Sequence, residues 1–289
     1  MSITVLETDK LTHIYSKGTT SQVDAIRDVS IKIEQGELVG VIGHTGSGKS
    51  TLIQHFNGLL KGTSGTVLLE GKDIWKDKKN IRDVRFKVGI CFQYPEYQLF
   101  EETVYKDIAY GPKNMKLPDE EIDRRVRQVI SFVGLDEGYL EKSPFDLSGG
   151  EKRRVAIAGV MAMEPSVLIL DEPCAGLDPK GRETILSLIT SYREKTGSTV
   201  LVVSHSMEDV SKIATKVLVM NNSRLAYYDT VDEVFTYASE LYDMGLNVPE
   251  LTKLFLKLRE KGYDVPANVY TVEKAREEIV KLISGRCKQ

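Results

Sequence analysis

The sequence predicts an α/β fold: a mixed, largely parallel sheet preceded by an antiparallel β subdomain, interrupted by an inserted α-helical subdomain and followed by a C-terminal helical extension. Three observations predict it. Residues 38–42 and 167–170 are unbroken apolar runs, as expected of strands buried on both faces of a parallel sheet. A glycine-rich segment joins the first run to a helical pattern over 51–60, giving a strand–loop–helix unit. Between about Pro118 and Ala162 the apolar spacing becomes helical.

The elements follow in order. Short β-rich runs at 3–6, 11–15, 29–33 and 66–70 are punctuated by Gly18, Gly36, Gly62, Gly65 and Gly71. Runs at 201–203 and 217–220 read as further buried strands. A helix over 120–133 aligns Ile122, Val126, Val129, Ile130 and Val133, with Asp123, Arg124, Arg125 and Arg127 facing outward; another helix covers 148–161. From Val231 the pattern is helical again. Pro249 stands at a helix start, Leu251, Leu254, Phe255 and Leu258 form one stripe, and a last helix covers 272–283. The expected division is an α/β core with its β subdomain at 1–93 and 164–230, a helical subdomain at 94–163 and a C-terminal helical extension at 231–289.

Composition narrows the class. The chain has 289 residues, 41% of them hydrophobic, enough for a sizeable core. A net charge of -3 argues against a nucleic-acid coat, and no nucleic-acid partner is expected. Cys91, Cys174 and Cys287 are scattered, which fits a reducing compartment and gives no metal site. Residues 1–9 lack a signal-peptide pattern, and no apolar run approaches the ~20 residues of a membrane span. Any membrane role is therefore expected to be peripheral.

Gly43-His44-Thr45-Gly46-Ser47-Gly48-Lys49-Ser50 fits G-x-x-x-x-G-K-[ST] between a buried strand and a helix, the context of a P-loop NTPase core. Its glycines let consecutive amides curl around phosphate, the helix that continues through Thr51 adds its positive end, Lys49 adds a charge, and the Ser50 hydroxyl can ligate Mg²⁺. The run 167–170 ends in Asp171 and Glu172. Asp171 is placed to hold Mg²⁺, and Glu172 to polarise an attacking water as general base. ATP and Mg²⁺ are the cofactors this set implies.

Ser148-Gly149-Gly150-Glu151 reads as a capping box, yet two adjacent glycines weaken a first helical turn. Their bare amides make a second anion cradle. One nucleotide needs one cradle, so two per chain suggest that each serves a different molecule.

Leu147–Glu151 (LSGGE) resembles the signature of ABC ATPases, and the surrounding set matches that superfamily in order and spacing. Gln93 resembles its Q-loop glutamine, Ala175-Gly176-Leu177-Asp178 its D-loop, and His205 its switch histidine; Tyr15 stands where the family stacks an aromatic ring on adenine. GHTGSGKSTL from Gly43, QYPEYQLFEETV from Gln93 and LSGGEKRRVAIAG from Leu147 are similar to the ATPases of energy-coupling factor, CbiO-type, transporters, and in detail to the second of their two paralogues. Glu151 departs from the glutamine common in ABC proteins; an acid near a triphosphate is unfavourable unless it turns back to cap the helix.

The resemblance implies the ABC ATPase fold, and a head-to-tail pair of ATPases, a homodimer or a heterodimer with a paralogue. ATP would lie on Lys49, Ser50 and Asp171 of one subunit and on Ser148 and Gly150 of the other. Gln93 would contribute to the Mg²⁺ site, and Glu172 and His205 to hydrolysis. It further implies a transmembrane coupling subunit, a membrane subunit that captures a vitamin or transition-metal ion, and a place on the cytoplasmic face of a bacterial-type membrane. A non-transport ABC ATPase usually carries coiled-coil insertions or two cassettes, which this chain lacks. A small-molecule kinase or GTPase would have no use for 147–151.

Overall fold

The computed structural model describes residues 3–77 and 80–286, so Cys287 lies outside the described residues. Two sheets organise it. The first is antiparallel: β1 (Thr4–Tyr15), β2 (Val23–Glu34), β4 (Ser64–Leu69) and β5 (Lys72–Asp73), in the order β2-β1-β4-β5. Where the sequence predicts two strands, at 3–6 and 11–15, the chain forms one. Lys10 takes a left-handed φ of 45°, the register shifts between Thr8 and Leu11, and the strand passes through a bulge without ending. The Thr8 hydroxyl pins this bend, donating to Val29 O and accepting from Ile31 N–H.

The second sheet has the order β10-β9-β3-β8-β7-β6. Its strands are β3 (Leu38–Ile42), β6 (Val88–Cys91), β7 (Val167–Asp171), β8 (Thr199–Val203), β9 (Lys216–Asn221) and β10 (Arg224–Thr230). All neighbours run parallel except the β9–β10 hairpin, whose turn places Asn222 and Ser223 at positive φ. The mixed, largely parallel sheet is as the sequence predicts. Alternation along the strands splits the core in two. Val167, Ile169, Leu201 and Val203 pack toward β1, β2 and helix α1 (Lys49–Phe56); Leu168, Leu170, Val200 and Val202 pack toward the inserted helices. Helix α1 stops short of the predicted residue 60 because Gly58, at φ 66°, turns the chain.

The helical subdomain holds α3 (Val104–Asn114), α4 (Asp119–Phe132) and α5 (Gly149–Met161), after a short α2 (Ile81–Lys87). Helicity begins earlier than Pro118: Thr103 caps α3, while Gly111 and Pro112 near its end obscure the period. Helix α6 (Pro179–Thr196) lies outside the predicted helices, though Asp178 at its N-cap and Pro179 in its first turn announce it. Helix α7 (Met207–Ile213) follows β8.

The C-terminal region divides at Pro249. Helices α8 (Val231–Thr236) and α9 (Ala238–Asp243), with Leu246 and Val248, cover Ile42, Val217 and Val219 of the large sheet. Beyond them α10 (Glu250–Glu260) and α11 (Val272–Arg286) enclose a separate small core of Phe255, Val265, Val269 and Ala275. Of the predicted stripe, Phe255 is buried and Leu254 is exposed. Among the described residues no helix is long and apolar enough to cross a membrane.

Candidate functional site

Parallel strands point their carboxyl ends at one rim, and the loops leaving that rim carry the predicted residues. The loop 43–48 follows β3, Gln93 follows β6, Glu172 follows β7 and His205 follows β8. Since β6, β7, β8 and β3 are neighbours, four distant parts of the sequence meet along one edge.

The loop requires its glycines. Gly48 has φ 103°, and a Cβ there would lie 2.3 Å from the Ala25 carbonyl oxygen. At Gly46 the space is open. Lys49 is buried and its ammonium donates to Gly43 O at 2.7 Å and His44 O at 3.0 Å, so it braces its own loop. Burial lowers its pKa, while Glu172 and Asp171 pull the other way. Ser47 is buried, its hydroxyl without a hydrogen-bond partner; Thr45 and Ser50 are exposed, while His44 and Thr51 are half-buried. The carboxylate of Asp171 accepts a hydrogen bond from Ser50; burial raises the Asp171 pKa against the opposing pull of Lys49.

Glu172 is held in two ways. Its backbone takes a left-handed φ of 52°, a costly conformation for glutamate, fixed because its N–H donates to Val203 O at 2.9 Å. Burial, then the neighbouring charge of Asp171, pushes its carboxyl up to about 7. Oε1 has no aligned hydrogen bond, and His205 Nε2 stands 3.3 Å from it. His205 is itself lowered by burial and by Lys49. Two carboxyls facing one lysine leave an excess of negative charge, and the Ser50–Asp171 oxygen pair suits a hard cation, so the residues present fit Mg²⁺. A base whose pKa lies near neutrality can both take and release a proton.

Other predicted residues lie apart from this cluster or serve the chain as well. Tyr15 ends β1, is 40% exposed, and places its hydroxyl 3.4 Å from Thr51 Oγ1. Gln93 is exposed just beyond β6. The Asp178 carboxylate accepts from Gly181 N–H as the N-cap of α6. Ser148 caps α5, and Glu151 turns back to complete the box, accepting from Ser148 and from Tyr139 Oη; these bonds bring its pKa down to about 2. A Cβ at Gly149 or Gly150 would meet nothing within 4 Å; Gly149 is exposed and Gly150 half-buried.

Two functional candidates lie outside the sequence reading. Arg153, 3% exposed on α5, makes a bidentate pair with Glu96 at 2.6 and 3.0 Å and donates to Pro173 O and Ala175 O. One guanidinium thus ties the segment after Gln93 and the turn after Glu172 to the helix capped by Ser148. The available signal was a cation four residues before buried Ile157, on the apolar side of α5.

Sheet order, loop and strand-end carboxyls together define a P-loop NTPase fold. A family model described as ABC transporter matches residues 26–175. The chain is 51% identical to the energy-coupling factor transporter ATP-binding protein EcfA2 of Clostridium tetani, over 97% of this chain and 98% of that one. It is 53% identical to the protein of the same name from Clostridioides difficile, over 96% of each. The structure of cbiO1 from Clostridium perfringens, described as part of the ABC transporter complex cbiONQ, superposes with TM-score 0.75 at 39% identity, covering 87% of this chain and 98% of that one. A dimeric post-hydrolysis ATP-binding cassette, MJ0796 with ADP and Pi, superposes with TM-score 0.69 at 27% identity, over 78% of this chain and 98% of that one. The chain belongs to the ABC transporter family, among the energy-coupling factor ATP-binding proteins.

Proposed function

We propose that this chain is the ATP-hydrolysing subunit of an energy-coupling factor transporter, working in a pair whose seam holds two ATP molecules. What supports this reading is that one chain carries two glycine-bearing helix starts able to receive an anion: the loop 43–50, and the Ser148-capped turn whose Gly149 and Gly150 have no neighbour within 4 Å of a Cβ. A triphosphate bound to the first in one subunit and the second in its neighbour favours the closed pair only while the γ-phosphate is present. Lys49 neutralises the terminal phosphates, Ser50, Asp171 and Gln93 hold Mg²⁺, and Tyr15 stacks on adenine. Bound Mg²⁺ supplies charge compensation on the phosphates. Glu172 takes the proton of the attacking water, His205 steadies the γ-phosphate, and Asp178 lines the seam.

A groove of about 330 Å³ between α3, α5 and the segment after Gln93 is lined by Phe86, Leu99, Phe100, Tyr110 and Met163. With Tyr97 83% and Phe100 58% exposed beside it, this groove suits an apolar helix of the membrane coupling subunit. The subunit thus sits peripherally on the cytoplasmic face and powers uptake of a vitamin or metal ion captured by a separate membrane protein.

Glu172→Gln tests the chemistry. Turnover falls about 10²–10⁴-fold, and an ATP-bound dimer accumulates on size-exclusion chromatography. Ser148→Arg added to that variant abolishes the dimer and spares ATP binding. Undiminished hydrolysis removes Glu172 from the role, and a dimer that survives Ser148→Arg removes the shared seam.

A further inference from the structure

Behind the phosphate loop lies a closed circuit of side chains that starts and ends on Thr51. His55, fully buried on α1, has Nδ1 2.7 Å from the Thr51 carbonyl oxygen. A carbonyl can only accept, so Nδ1 carries the hydrogen. His13, on β1, faces two groups through Nδ1: the Lys61 carbonyl oxygen at 3.2 Å and His55 Nε2 at 3.1 Å. The first again fixes the hydrogen on Nδ1, so His13 donates and the lone pair of His55 Nε2 accepts. Burial lowers the His55 pKa and supports its neutral form.

From His13 the circuit continues by ring contact. The His13 and His55 rings meet edge to face at 4.7 Å, and His13 meets Tyr15 in the same manner at 4.5 Å. Tyr15 Oη returns to Thr51 Oγ1 at 3.4 Å. Tyr15 is otherwise half in solvent at the end of a bulged strand, with two torsions free to reorient. The His13 ring edge bounds the Tyr15 ring on one side.

We infer that His13, anchored by His55, is a positioning residue that holds the Tyr15 ring at a fixed height and tilt over the phosphate loop to receive the nucleobase. The inference rests on the reading of Tyr15 as the base platform. Its prediction is selective: affinity that comes from the base depends on His13, and affinity that comes from the phosphates does not.

The test compares Mg·ATP with Mg·tripolyphosphate by calorimetry on the full chain and on Tyr15→Ala, His13→Asn and His13→Phe. Asparagine keeps an N–H for His55 and Lys61 and lacks the ring; phenylalanine keeps the ring edge and lacks the donor. The expected result is that Tyr15→Ala and His13→Asn each weaken ATP about three- to tenfold, the worth of one aromatic contact, with tripolyphosphate unchanged. His13→Phe retains most of the ATP preference and lowers the unfolding midpoint, because His55 Nε2 loses its partner. A His13→Asn chain whose ratio of ATP to tripolyphosphate affinity equals the parent's, while Tyr15→Ala lowers it, overturns the positioning role and leaves the platform standing. A Tyr15→Ala chain with the parent ratio overturns both. Equal losses for both ligands in His13→Asn mark a merely structural histidine and also overturn the inference.

Discussion

Glu172 concentrates the energetic cost of the site. Its carboxyl is buried beside Asp171 and titrates near 7, against 4.5 for a free glutamate. A raised carboxyl contributes stability while protonated: the contribution is complete below about pH 4.5 and is lost as pH rises through about 7. Glu172→Gln, neutral at every pH, is therefore expected to unfold at a higher temperature than the parent at pH 8. The gain is about 1 kcal/mol after solvent screening, or about 2 °C, and it shrinks toward zero at pH 5. Calorimetric scans at pH 5, 6.5 and 8 check it; a difference independent of pH rejects the buried-charge account. At this scale the sequence was legible wherever spacing encodes chemistry, as at Lys49, Ser50, Asp171 and Glu172. For Arg153 it offered only the helical spacing to Ile157, a faint mark within the charged run 151–154, and for Glu96 nothing local showed that it would be paired.

Among elements, α5 does most to connect the parts. Its first turn presents Gly149 and Gly150 to solvent, and one turn later Arg153 grips Glu96 and two carbonyls. Arg153→Met takes the guanidinium from a half-buried Glu96 carboxylate and from those carbonyls, and should cost about 2–3 kcal/mol in urea unfolding. Glu96→Gln, still an acceptor, should cost less; equal losses would show that packing, and not the charge pair, sets the effect. Strands β3, β7, β8 and β9 were legible because double burial writes unbroken apolar runs. Helix α3 and the continuity of β1 were not, since Pro112 hides a helical period and a left-handed Lys10 mimics a strand end.

For the whole molecule, the division of the C-terminal region at Pro249 matters more than its length. Helices α8 and α9 roof the large sheet, so a chain ending at Thr230 would bare Ile42, Val217 and Val219 and is expected to aggregate. A chain ending at Val248 keeps those two helices, though it loses the Tyr270 ring on Phe235 and the Tyr270 and Lys274 bonds to Asp232. Val272, Val280 and Ile283 of α11 are more than half exposed, an apolar side suited to a neighbouring ATPase. The Val248 truncation should therefore fold and bind ATP, while its nucleotide-free association with the second ATPase falls at least tenfold by light scattering; unchanged association would assign 249–289 another role. The Arg153 clasp carries one more consequence. One guanidinium bonded to Glu96 on one side and to the Pro173 and Ala175 carbonyls on the other fixes the spacing of those two segments, so the stretch after Gln93 and the turn behind Glu172 are expected to shift together.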